Sequence, residues 1–122
     1  MIRIFKHRIF DKSAKKEKIS NKLLKSIISE ISSGLYDAQL GKGIFKKRIG
    51  RVGEGKRSSY RSIIAFQSGK NAFFIYLFSK NEKDNITKAE LESFRELADF
   101  LLNVNNTKLK ELISIGSIKE IT

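Results

Sequence analysis

The apolar positions of the chain follow two rhythms. In ISNKLLKSIISEISSGL, residues 19–35, Leu23, Leu24, Ile27, Ile28 and Ile31 recur every three or four residues, which gathers them on one stripe of a helix. Ser20 stands where an N-cap accepts from the first turn, and Gly34 suits the left-handed residue that stops a helix. A second helix is announced at Thr87: with Glu90 it makes a capping box, and Ile86 and Leu91 form the hydrophobic staple across it, so the helix starts at Lys88. Leu91, Phe94, Leu97, Ala98, Leu101 and Leu102 then supply one apolar stripe, and NVNN at 103–106 ends it.

Between these helices the rhythm changes. IFKKRIGRV, SYRSIIAFQ and NAFFIYLFSK are rich in β-branched and aromatic residues and are parted by glycine-bearing connections, which predicts a three-stranded antiparallel meander. Ser68-Gly69-Lys70 is short enough for a hairpin, whereas the connection Gly53 to Ser58 is longer than a turn requires. Ile2, Ile4 and Phe5 suggest an opening strand, and FDKSAKKEK a turn into a short polar helix. The tail predicts another short helix from Thr107 and an extended piece with Ile118 and Ile121.

The expected architecture is a single α+β domain over residues 1–122: a small twisted antiparallel β-sheet with helices packed on one face. Phe73, Phe74, Ile75 and Leu77 read as core. The other sheet face should be partly open. In IFKKRIGRV, Phe45, Lys47, Ile49 and Arg51 alternate with Ile44, Lys46, Arg48, Gly50 and Val52, so neither side of that strand is purely apolar.

Charge changes the picture most. With 25 Lys and Arg against 13 Asp and Glu the net charge is +12, and such an imbalance points to an anionic partner. Residues 42–61 hold Lys42, Lys46, Lys47, Arg48, Arg51, Lys56, Arg57 and Arg61 against Glu54 alone, a net of +7. A merely solvated face would interleave Glu with Lys. Lys and Arg contact phosphates, and Tyr60, Tyr76 and Phe78 are candidates for stacking on unpaired bases, which makes RNA the natural ligand.

Other chemistries lack their parts. The chain has no cysteine, so disulfides and thiolate metal sites are excluded. His7 is the single histidine, which leaves no metal cluster and no nucleophilic triad. Asp37, Glu54, Glu82 and Asp84 are scattered, and glycines 41, 43, 50, 53 and 55 are followed by no GK[ST] and no helix start. No metal or other cofactor is expected. No apolar run approaches the roughly 18 residues that cross a bilayer, so the expectation is a cytoplasmic protein without a membrane partner.

The stretch GKGIFKKRIGRVGEGKRSSYRSIIAFQSGKNAFFIYLFSKNEKDNITKAELESF resembles the RelE/HigB group of type II toxins, within the RelE/ParE superfamily of toxin–antitoxin systems. The K-K-R strand, the G-x-G-K-R-x-x-Y-R approach to the next strand and the F-x-K-N-E-x-x-N-I strand exit before a capped helix carry the likeness, over roughly residues 20–102. The resemblance implies a small, metal-independent endoribonuclease that cuts mRNA, in many relatives on the 70S ribosome. It also implies a cognate antitoxin, expected to form a higher-order hetero-oligomer with the toxin.

Residue by residue, Arg61 is similar to the family's phosphate-binding arginine, Lys56 and Arg57 to the basic residues before it, and Lys80 and Asn81 to the other side of the pocket. Lys46, Lys47 and Arg48 lie on the strand that supplies cations to the same face. Arg61, Lys56, Lys47 and Lys80 are therefore the catalytic candidates. Lys46, Arg48, Arg51, Arg57, Tyr60, Tyr76, Phe78 and Asn81 are the candidates for gripping RNA. The best-known relatives place a tyrosine after the strand exit; here that stretch has Ile86.

RNA carries its own nucleophile in the 2′-hydroxyl, so cleavage asks for a base, an acid and charge stabilisation at phosphorus. An arginine can brace two phosphate oxygens at once. Neighbouring cations disfavour a lysine's charged form, which makes Lys47 or Lys56 a candidate base. Two other readings fit the charge: a ParE-like toxin acting on DNA gyrase, and a non-catalytic RNA- or ribosome-binding protein.

Overall fold

The computed structural model describes residues 2–41, 43–50, 60–79 and 85–122. Along the chain come β1 (Ile4–His7), α1 (Arg8–Lys16), α2 (Asn21–Ser32), β2 (Ala38–Gln39), β3 (Ile44–Ile49), β4 (Tyr60–Ala65), β5 (Ala72–Ser79), α3 (Lys88–Asn103), α4 (Asn106–Ser114) and β6 (Ile118–Ile121).

The capping chemistry sets the helix boundaries. The Ser20 hydroxyl accepts from the Leu23 N–H at 3.2 Å, and Gly34 sits at φ +88° just past the end of α2. Thr87 and Glu90 close the reciprocal box at the start of α3: the Glu90 N–H donates to Thr87 Oγ1 at 3.0 Å and the Thr87 N–H to Glu90 Oε1 at 2.8 Å. α1 begins at Arg8, directly after β1, because Phe10 and Ala14, four residues apart, bury together on the sheet. α4 is capped by Asn105 and starts at Asn106, one residue before the expected Thr107.

The strands form one six-stranded sheet in the order β2-β3-β4-β5-β1-β6. β3, β4 and β5 are the expected antiparallel meander, and the β4–β5 hairpin turns through Gly69 at φ +78° with the Lys70 N–H donating to Gln67 O. Sequence periodicity did not foresee that β1 lies between β5 and β6, parallel to the former and antiparallel to the latter.

The α+β class stands, but the single helical layer does not. α1 and α2 bring Phe10, Leu24, Ile27 and Ile31 onto the face carrying Ile49, Ile64, Phe74 and Leu77. α3 and α4 bring Ala98, Leu101, Leu109 and Leu112 onto the opposite face, with Phe5, Ile44, Ile63, Phe73 and Ile75. The cause is visible in β4 and β5, where Ile63 and Ile64, and Phe73 and Phe74, are apolar in both phases of the alternation. A strand greasy on both sides needs cover on both.

One irregularity affects the surface. Ile63 pairs with Tyr76 but Ile64 pairs with Phe74, which leaves Ile75 as an extra residue in β5. This β-bulge turns Ile75 and Tyr76 to the same side, the α3–α4 side, before alternation resumes with Leu77 and Phe78.

Candidate nucleic-acid interface

The strand register decides which cations meet. Two rows cross the meander on the α3–α4 face: Lys46, Ile63 and Tyr76 in one, and Arg48, Arg61 and Phe78 in the next. Neighbouring strands lie about 4.8 Å apart and alternate residues on one strand about 7 Å. Arg48 and Arg61 therefore rise side by side, with Lys46 one pleat away. Arg48 is exposed, and Lys46, Arg61 and Tyr76 are half-buried. The Tyr76 ring is steadied by Phe78, stacked with centroids 5.8 Å apart, and by Phe94 of α3 at 5.2 Å.

The intervening rows face the other way. Lys47, Ser62 and Leu77 lie on the α1–α2 side, where Lys47 Nζ is 3.4 Å from Glu30 Oε2 of α2 and the Ser62 hydroxyl donates to the Lys47 carbonyl at 2.8 Å. The expectation that Lys46, Lys47 and Arg48 share a face is thus corrected for Lys47: strand alternation sends it to the opposite layer. Tyr60 is only 3% exposed, sits in the α1–α2 core and donates its hydroxyl to Glu17 at the end of α1. Phe78, at 2% exposure, is likewise core. Neither ring can offer a face to a base. Of the three proposed stacking residues only Tyr76 reaches the surface.

Arg51, Lys56, Arg57, Lys80 and Asn81 lie outside the described residues. Their described neighbours in sequence, Gly50, Tyr60 and Ser79, stand at the end of the sheet where Arg48 and Arg61 pair. Sequence reading missed the two carboxylates, Glu30 and Glu17, that hold Lys47 and Tyr60 on the far side. They are 17 and 43 residues from their partners, and no local pattern announces a contact across that distance.

His7 has a structural task. Its Nδ1 accepts from the Ile9 N–H as N-cap of α1, and burial, reinforced by neighbouring Arg8, pushes its pKa below 6.5. Among the described residues no group of His, Cys, Asp and Glu could hold a metal ion, and no helix is long and apolar enough to cross a membrane. A depression of about 480 Å³ beside α3 is lined by Gly41, Glu92, Arg95, Glu96 and Asp99; its acidic lining is unsuited to a polyanion.

The fold thus sets two arginines, a lysine and a supported tyrosine on one face of the sheet. The sequence matches the RelE toxin family, described as the RelE toxin of the RelE/RelB toxin–antitoxin system, over residues 2–121, and the chain belongs to that family. A comparison with curated proteins finds no significant match.

Proposed function

We propose that this toxin is an endoribonuclease that cuts mRNA, with the ribosome-bound message as its substrate. The observation that carries the reading is the Arg48–Arg61 pair, in register and on one face with Lys46 and Tyr76. In the reaction the 2′-oxygen attacks the adjacent phosphorus, the bond to the 5′-oxygen breaks, and the products are a 2′,3′-cyclic phosphate and a 5′-hydroxyl. The 2′-hydroxyl proton passes to a base and a proton is delivered to the leaving oxygen.

Arg61 braces the pentacoordinate phosphoryl group, and Arg48 and Lys46 hold the flanking phosphates. Tyr76 offers a ring edge to a base. The proton transfers fall to Lys56 and Lys80, with Arg51, Arg57 and Asn81 completing the grip. Because RNA supplies the nucleophile, the chemistry does not require a metal.

The antitoxin silences the toxin by laying an acidic segment over this face, where complementary charge speeds capture. The test is product analysis: purified toxin and ribosome-bound message should give fragments ending in 2′,3′-cyclic phosphate, with or without a chelator. Intact RNA under conditions of proven binding would leave a non-catalytic binder, and arrested supercoiling with intact RNA would leave a gyrase toxin.

A further inference from the structure

The positive charge has a second centre. Residues 8–25 hold seven Lys or Arg against Asp11 and Glu17, a net of +5. Together with the +7 of residues 42–61 this accounts for the whole +12, so the rest of the chain is neutral. Of the first centre, Lys46, Arg48 and Arg61 lie on the face of the sheet that α1 and α2 do not cover.

The carboxylates of the second centre are turned inward. Asp11 bridges Lys6 and Lys15 with its side chain 13% exposed, and Glu17 accepts from Tyr60. Arg8, Lys12, Lys16, Lys18, Lys22 and Lys25 are exposed and form no ion pair among the described residues. Lys18 is notable. It occupies the corner between the helices at φ +57°, in a Schellman-type turn where the Ile19 N–H donates to Ala14 O at 2.9 Å and the Lys18 N–H to Lys15 O at 3.2 Å. Glycine or asparagine is the relaxed occupant of that position, so a lysine there holds a cation at the apex in a strained backbone.

We infer that the outer surface of the α1–α2 layer binds the phosphate backbone of a double-helical nucleic acid, separately from the Arg61 face. A membrane surface is the poorer fit. The apolar stripes of both helices are buried against the sheet, and Ile9, 53% exposed, is the large apolar side chain left outside on this layer, whereas interfacial helices insert an apolar face. An unpaired strand is also a poor fit, because the layer's aromatic residue, Phe10, is fully buried and offers no stacking platform. Cations without rings suit a backbone whose bases are already stacked. The inference does not depend on RNA cleavage by the opposite face.

The test measures binding of the full chain to a blunt RNA duplex, a DNA duplex of the same sequence, a single-stranded RNA and anionic vesicles, across a salt series. The variants are the combined Lys12→Gln, Lys16→Gln, Lys22→Gln and Lys25→Gln, which keeps helix propensity, and Lys18→Gly. The fourfold variant should fold normally by circular dichroism, lose tenfold or more in duplex affinity, and show a salt slope shallower by about 3.6, at roughly 0.9 for each of the four lost contacts. Lys18→Gly should melt no lower than the parent while losing slope by about 0.9. Loss on RNA and DNA duplexes alike indicates backbone reading, and loss on RNA alone an A-form requirement; both support the inference. Unchanged duplex binding in the fourfold variant overturns it, as does a loss confined to vesicles or to the single strand.

Discussion

Arg48 and Arg61 stand directly opposite one another across the β3–β4 ladder, on the face turned to α3 and α4. Like charges opposed in this way work against strand pairing. Their neighbours hold the ladder in register: Ile49 and Tyr60 pack into one core, and the Ser62 hydroxyl ties β4 to the Lys47 carbonyl.

Among the ion pairs of the described residues, Lys6–Asp11 is the most enclosed. Lys6 Nζ lies 2.7 Å from Asp11 Oδ1, with the two side chains 8% and 13% exposed, and it also donates to Asn21 Oδ1. Asp11→Ala leaves the lysine charge enclosed, and should reduce unfolding free energy in urea titration by about 3–5 kcal/mol. The double variant Lys6→Met with Asp11→Leu should recover most of that loss.

Acid should erode stability in two steps. Burial raises the Asp11 pKa, but its ion pairs with Lys6 and Lys15 outweigh that and hold it below its ordinary 3.8. Its contribution is complete above that value and lost as pH falls through the lower folded one. His7, held below 6.5 chiefly by burial, stays neutral in the folded chain while the unfolded chain takes up a proton. Its contribution is complete above about 6.5 and fades as pH falls, and protonation also ends its acceptance from Ile9. Melting temperature should fall gently below pH 6.5 and steeply below about 4. His7→Asn, which keeps an N-cap acceptor, should remove the first step only.

Gly43 fixes where β3 begins. It has φ +80°, its carbonyl accepts from Phe66 N–H at 2.8 Å, and a Cβ there would sit 2.9 Å from Leu102 Cδ1 and 3.1 Å from Phe66 O. Gly43→Ala combines a left-handed backbone with contact against main chain that cannot give way. It should destabilise by more than about 1 kcal/mol by chemical denaturation, whereas Gly50→Ala, with nothing within 4 Å, should stay within about 0.5 kcal/mol.

Much of the fold was legible because its signals are local. Ser20, Gly34 and the Thr87–Glu90 box mark helix ends through contacts within a few residues, and the three meander strands announce themselves by composition. The position of β1 between β5 and β6 rests on pairings as distant as Ile4 with Ile121, which no window along the chain can see. The site was half legible for the same reason. That β3 and β4 carry the cations is written in the sequence, but which cations share a face depends on the phase of each strand. Apolar residues in both phases of β4 and β5 erased the alternation that would have settled it. Tyr60 and Phe78 looked open beside their cations because helix α1 and the α3–α4 layer come from elsewhere in the chain.

The antitoxin should protect the Arg61 face. In the purified toxin–antitoxin complex, Arg61 and Lys46 should react markedly more slowly with guanidine- and amine-modifying reagents than in the free toxin, as mapped by mass spectrometry. Equal reactivity would mean that the partner blocks the toxin by bulk elsewhere on its surface.

The central claim is that RNA is cut on the face holding Arg61 and not on the face holding Lys47, and two variants in one cleavage assay test it. Arg61→Ala should lower the rate on ribosome-bound message by about 10² or more, as loss of a transition-state charge partner does. Lys47→Gln, on the opposite face beside Glu30, should stay within a few fold of the parent. Undiminished cleavage by Arg61→Ala, or a loss of the same size in a folded Lys47→Gln, would contradict the account.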